Sequence, residues 1–247
     1  MIAQLGMYLR DETRPVYHTL WAHTQRHLGF GPVALTYTDA FWTIWQSPDL
    51  LLSQTCSYPY RHSLHKHTHL IGSSDHQIDG IPAGYYASVF VVRGTDTRHD
   101  LAAFKDATFA YNEALSQSGW AAPQTHAKAR GFQFENLLET GGHQRSAQCV
   151  ADGRADIAAL DIVTWTLCQR HDAFARDLKV LDTTEASPAL PFITAQESHI
   201  PALKSALLAA IDDLSADEKS AILLHGIVTL PKTTYLDLTF PLGPPSI

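Results

Sequence analysis

Three times between residues 107 and 163 a short apolar run of strand character stops at polar residues and a helix begins. Residues 107–112 lead into Ser116-Gln117-Ser118-Gly119, residues 134–140 lead into Gly141-Gly142-His143, and residues 155–161 end in Asp161 before a helical stretch over 163–170. An apolar run followed by helical spacing marks a βα unit, and repeated units predict an α/β architecture. Ligands of open α/β sheets bind outside the carboxyl ends of strands. The polar residues at these three ends are therefore the first candidates for function.

Ser116, Gln117, Ser118 and Gly119 fall where the first turn of a helix leaves backbone N–H groups without partners, and Gly119 lets another group approach the backbone closely. Free donors and the positive end of the helix dipole together favour an anion. Taken alone, the plainer reading is that Ser116 or Ser118 is an N-cap, worth about 1 kcal/mol. His143 stands at a second helix start, and Asp161 is placed to cap a third. If the three strand ends are neighbours, donors from two helix starts and an imidazole face one cleft.

Elsewhere the chain repeats the alternation. A first strand over residues 1–9 precedes a helix with Pro15 in its first turn and Gly29 at its end. Residues 34–38 predict a short strand, 39–45 an aromatic helix or turn, and Leu50-Leu51-Leu52 a buried strand emptying into a polar loop over 53–58. His65, His67 and His69 alternate as on one strand face, but no cysteine or carboxylate joins that run before Asp75, so no metal site is predicted. Extended segments near 86–93 and 187–194 read as crossings between two lobes: residues 1–87 with 190–247, and residues 88–189. Pro201 opens a helix, Ser215-Ala216-Asp217-Glu218 has the capping-box pattern before another ending near Gly226, and the proline-punctuated tail over 235–247 is expected to lie extended on the surface.

Composition narrows the partners. The net charge of −7 argues against nucleic acid and anionic membranes, which call for a basic face. Any bound anion must be held by local dipoles. Cys56, Cys149 and Cys168 are odd in number and widely spaced, so no disulfide scaffold is expected. The first residues lack the features of a signal peptide and no run of about 18 apolar residues exists, so the expectation is a cytoplasmic chain, or a periplasmic one whose export signal was removed, without membrane insertion.

Tyr111-Asn112 through Ser116-Gln117-Ser118-Gly119-Trp120 with Pro123, then Gly142-His143 and Ser146, then residues 150–158 leading to Asp161, and Ser187-Pro188-Ala189-Leu190-Pro191 occur in an order and spacing that resembles the phosphate, phosphite and phosphonate ABC-transporter substrate-binding proteins, the PhnD-like group of type II periplasmic binding proteins. The resemblance implies two α/β lobes joined by two crossover strands, closing on a small oxyanion, with an ABC permease as partner and no cofactor. It implies a serine-rich loop in Ser116, Gln117 and Ser118, a ligand-binding histidine in His143, and in Asp161 an acidic group that accepts from a protonated ligand oxygen. From the first lobe, residues 54–58 resemble the loop whose tyrosine closes over the ligand, which makes Tyr58 and Thr55 candidates, with Tyr8 and Trp42 behind them. The alternative is an enzyme on the same fold acting on a small carboxylate, as menaquinone-pathway enzymes do, with His143 and Asp161 as an acid/base pair; a regulatory module that kept the scaffold is a third reading.

Overall fold

The computed structural model describes residues 1–244 and divides into two compact α/β units. In chain order the strands are β1 (Ile2–Gln4), β2 (Leu50–Gln54), β3 (His69–Asp75), β4 (Tyr85–Tyr86), β5 (Ser88–Arg93), β6 (Phe109–Tyr111), β7 (Leu137–Glu139), β8 (Ile157–Asp161), β9 (Leu178–Thr183), β10 (Ser187–Pro188), β11 (Pro191–Thr194) and β12 (Gly226–Val228). The helices are α1 (Arg14–Leu28), α2 (Phe41–Trp45), α3 (Ser57–His62), α4 (Ala122–Ala129), α5 (His143–Ala151), α6 (Ile162–His171), α7 (Ile200–Asp213), α8 (Ala216–Ile222) and α9 (Lys232–Leu236).

The first unit, Met1–Tyr85 with Pro188–Leu238, is built on a sheet of order β1-β2-β11-β3-β12. Strands β1 and β2 are parallel, and β11 runs antiparallel to both of its neighbours. Helix α1 starts with Pro15 in its first turn and stops at Gly29, whose φ of 78° closes the last turn as few other residues can. It packs on α7. The Ser215 hydroxyl and the Glu218 carboxylate cap α8 reciprocally, as the sequence pattern predicts.

The second unit contains Tyr86–Ser187 and the described residues from Thr239 onward. Its sheet has the order β7-β6-β8-β5-β9, with β7, β6 and β8 parallel and β5 antiparallel between β8 and β9. Side chains alternate across a strand, so β8 feeds two cores at once. Ala158 and Leu160 join Val89, Val91 and Ala147 on one face, while Ile157 and Ala159 join Phe90, Phe109, Trp120 and Phe134 on the other. Burial on both faces is why this strand reads as an unbroken apolar run.

Several local expectations change. Residues 34–38 make one backbone bond to the first strand, from Thr36 N to Ala3 O at 2.7 Å, and accept a second from the Gln4 side chain at Thr38 O, 2.9 Å, but no ladder follows. The polar stretch at 53–58 is not a loop throughout: Ser53 and Gln54 extend β2, pairing with Ile193 and Phe192 of β11, and Ser57 opens α3. His65 lies in a 3-10 turn and His67 just after it, so of the three alternating histidines only His69 belongs to β3. Strands β9 and β12 were not foreseen. Tyr235 is fully buried in α9, its hydroxyl donating to Ala189 O at 2.9 Å, rather than lying on the surface; the tail beyond it has Phe240 and Leu242 exposed, and residues 245–247 fall outside the described ones.

The parallel strands depend on β8 for their position. Replacing fully buried Leu160 by Ala is expected to lower the unfolding free energy by about 2–5 kcal/mol, read from urea unfolding. A loss below about 1 kcal/mol would show that this face is loosely packed.

Candidate functional site

Register sets the site. Strand β6 pairs in parallel with β7 through Phe109–Leu137, Ala110–Leu138 and Tyr111–Glu139, and with β8 through Phe109–Ile157 and Ala110–Ala158. The carboxyl ends of the three strands therefore lie side by side, and each chain segment beyond them turns into a helix. Ser116 to Gly119, Gly142-His143 and Asp161 occupy one edge of one sheet.

The three helix starts differ in how their donors are used. After β6 the helix opens with a π turn, Gln117–Ala121, before α4, and Ala121 N bonds Ser116 O at 2.9 Å. Ser116 is the cap, its Oγ accepting from Gly119 N at 3.0 Å. Asp161 caps α6, its Oδ1 accepting from Val163 N at 2.7 Å and Thr164 N at 3.2 Å. Helix α5 has Gly142 at its N-cap and no side-chain cap; the Thr140 and Ser146 hydroxyls donate instead to the Gly142 carbonyl, at 3.1 and 3.2 Å. Its first-turn N–H groups are thus left to another acceptor.

Ser118 takes a different partner. Its Oγ stands 2.8 Å from His143 Nε2, which joins two of the helix starts directly. Burial lowers the His143 pKa from 6.5 to about 4, partly offset by the Ala159 carbonyl, so the imidazole is neutral near pH 7. His143 Nδ1 is buried without a well-formed hydrogen bond. Gly119 makes this arrangement possible: a Cβ there would collide with Asn112 Oδ1 and meet His143 Cε1 at 3.1 Å. The close approach that glycine permits is made by the protein's own side chains.

Around this cluster the strand ends carry further polar groups. Tyr111 donates to Glu139 Oε2 at 3.2 Å, and burial, reinforced by that carboxylate, pushes its pKa up to about 12. Burial and Glu139 also raise the Glu113 carboxyl. Thr140 Oγ1 and Ser146 Oγ share a bond at 2.7 Å that ties the end of β7 to α5. Thr140 and Arg145, whose Nη1 lies over Gly141, were not singled out from sequence, and Asn112 was read only as part of the motif, not as a site residue. For Asn112 the available signal was its place at a strand end.

The remaining candidates belong to the first unit. Thr55 is fully buried, its N bonded to Pro191 O at 3.1 Å. Tyr58 is buried in α3, with the Arg61 guanidinium 4.4 Å over its ring and His62 stacked at 6.1 Å. Tyr8 packs edge-on against His76 at 5.6 Å. Trp42 meets Trp45 at 5.6 Å and 74°, a packing role within α2. Among the described residues no group of three or more His, Cys, Asp or Glu could hold a metal ion.

A family model described as ABC transporter, phosphonate, periplasmic substrate-binding protein matches residues 49–229. The chain belongs to this family. Among solved structures it is similar to PhnD1 from Prochlorococcus marinus in complex with methylphosphonate, at 15% identity and a TM-score of 0.75 over 96% of this chain and 95% of that one. A binding protein component of an ABC phosphonate transporter from Pseudomonas aeruginosa gives 15% identity and a TM-score of 0.75, covering 96% and 83%. A Xanthomonas citri protein bound to ATP gives 17% and 0.67, covering 94% and 92%. At such identities the likeness establishes the fold, that of the type II periplasmic binding proteins, as the resemblance implied. No curated protein matches the sequence. As a member of a phosphonate-binding family, the chain carries its polar cluster where open α/β sheets take ligands.

Two measurements test the cluster. Gly119→Ala is expected to cost about 1–3 kcal/mol of stability through overpacking, and Asn112→Ala in the same chain should return part of it; additive losses would show that the two residues do not meet. His143 and His76, both lowered from 6.5 to about 4 by burial, bind protons less readily folded than unfolded. Their contribution to stability is complete above pH 6.5 and is lost as pH falls toward 4. Urea midpoints should drop across that window, and less so in His143→Gln. Resonances assigned to His143 and His76 that titrate near 6.5 in the folded protein would contradict this.

Proposed function

We propose that this protein binds a small phosphorus oxyanion, of the phosphonate, phosphite or phosphate class, at the helix starts of its second unit, and presents it to an ABC permease from the periplasmic side. The contact between Ser118 and His143 beside the uncapped start of α5 carries this reading. Hydroxyl, imidazole and backbone N–H groups are gathered where the helix dipole favours negative charge. In a chain of net charge −7, local donors of this kind are what can hold an anion. Family membership supports the transport role, and no helix among the described residues is long and apolar enough to cross a membrane. Tyr58 and Thr55 of the first unit are proposed as the second set of contacts, with Tyr8 and Trp42 more distant candidates.

A hydroxyl 2.8 Å from an imidazole also has the form of a nucleophile and its base. The geometry favours binding over chemistry. Nδ1 of His143 lacks the carboxylate that orients such a base, Asp161 is engaged as a helix cap, and a pKa of about 4 makes the ring a weak base at neutral pH.

Thermal unfolding with methylphosphonate, phosphite, phosphate and sulfate tests the proposal. A ligand at about 100 times its dissociation constant stabilises the folded state by about 2.7 kcal/mol. Ser118→Ala and His143→Ala should each weaken binding of the best phosphorus oxyanion by roughly 1–3 kcal/mol. No shift with any of them would sink the proposal, and unchanged affinity in both variants would move the site elsewhere.

A further inference from the structure

A buried tryptophan carries one polar atom, the indole N–H, which can only donate. Trp120 is 2% exposed and stands in the same π turn, Gln117–Ala121, as Ser118 and Gly119. Its ring packs on Tyr111 at the end of β6, 5.0 Å away and tilted by 54°. Its Nε1 donates to Leu242 O at 3.1 Å. The acceptor belongs to no strand or helix: the chain leaves the first unit at Leu238 and joins the second from Thr239 onward, in extended form. Leu242 and Gly243 face Gln124, Phe134 and Leu137, besides Trp120, across one cleft. That surface is fixed from within, since the Gln124 amide donates to Phe134 O at 2.9 Å and accepts from Phe134 N at 3.1 Å.

The sequence of this segment suits docking. It reads Phe240-Pro241-Leu242-Gly243-Pro244, and each proline holds its own φ at about −65°, so that ordering the segment costs little further entropy. Aromatic grooves take proline-punctuated extended chains for that reason. The Phe240 and Leu242 side chains are 50% and 80% exposed, so what the segment brings to Trp120 is a backbone carbonyl. A π turn is uncommon and persists where its surroundings hold it. Here it is held from two sides: Asn112 and His143 close against Gly119, and Leu242 O takes the N–H of the next residue, Trp120. We propose that residues 240–244 form an intramolecular proline-rich strap that, through the Trp120 indole, positions the turn carrying Ser118. The strap's effect on a ligand rests on the oxyanion-binding function above, whereas its hold on the turn does not. In this arrangement Trp120 is a positioning residue: it acts through Ser118.

Two readouts, on the full chain and on a chain ended at Leu238, test the strap: hydrogen exchange of the Trp120 indole N–H and of the Gly119 and Ala121 amides without ligand, and calorimetric titration with methylphosphonate. The chain has five tryptophans, so Trp120→Phe assigns the indole resonance by its loss. In the full chain that N–H should be protected. In the shortened chain all three protons should exchange at least about tenfold faster, and methylphosphonate should bind about three- to tenfold more weakly, the range of one net hydrogen bond. Trp120→Phe should weaken binding alike, and the two changes together no more than the larger alone. Leu242→Ala keeps the carbonyl and should alter neither readout. Should the shortened chain fail to fold, Pro241→Gly with Pro244→Gly in the full chain takes its place and should move both readouts in the same direction. An indole N–H that exchanges freely in the full chain overturns the proposal, and so does an affinity unchanged once the strap is removed or loosened. If not even the full chain binds methylphosphonate, the oxyanion function falls and the amides decide the strap by themselves: faster exchange at Gly119 and Ala121 keeps it, and unchanged exchange removes it too.

Discussion

Parallel pairing of β6 between β7 and β8 is the constraint on which the rest of the second unit depends. Because Phe109 faces both Leu137 and Ile157, the three strands end together, and the chain has nowhere to go but into three helices that start side by side. Each helix start leaves several N–H groups without intrahelical acceptors. Concentrating three such starts at one edge creates a local positive potential that a chain of net charge −7 does not supply globally. The apolar residues of β8, packed on both faces, hold that edge in place.

The same edge would be a liability if all its donors were left open, and the sequence divides them. Ser116 and Asp161 each satisfy their own helix, while Gly142 offers α5 no side chain at all. Gly119 then sets how tightly the pieces close, since Asn112 and His143 both press against it. The π turn at Gln117–Ala121 holds one extra residue in the first turn, and Ser118, within it, meets His143 at 2.8 Å.

Local signals were legible in the sequence, and partner choice was not. Gly29 stopping α1, the capping box at Ser215 and Glu218, and the apolar run of β8 each depend on residues within a few positions of one another, and each reads correctly. The extended character of β5 and β11 was also visible, since both are buried β-rich runs. Strands β9 and β12 escaped because edge strands draw their definition from a partner distant in the chain: Val180 of β9 pairs with Val91, and Ile227 of β12 with Ser74. Tyr235 escaped for the same reason, its burial being owed to Ala189 and Tyr60. At the site, strand ends and residue types pointed to Ser118, His143 and Asp161. Which hydroxyl caps a helix and which meets the imidazole was decided by tertiary packing, whereas the capping role of Asp161 could be read from its place before the third helix.

The proposed anion site is assembled from neutral groups, which suits a protein that must let go. A buried Arg or Lys would hold an oxyanion through full charge, and charge-assisted bonds are roughly twice as strong as neutral ones. Here the imidazole is kept neutral by burial, and the serines and the first turn of α5 contribute partial charges only. Selectivity then has to come from hydrogen-bond polarity, because neutral donors and acceptors discriminate by pairing or failing to pair whereas a cation welcomes any anion. Under the proposed function, a neutral His143 limits how firmly the oxyanion is held.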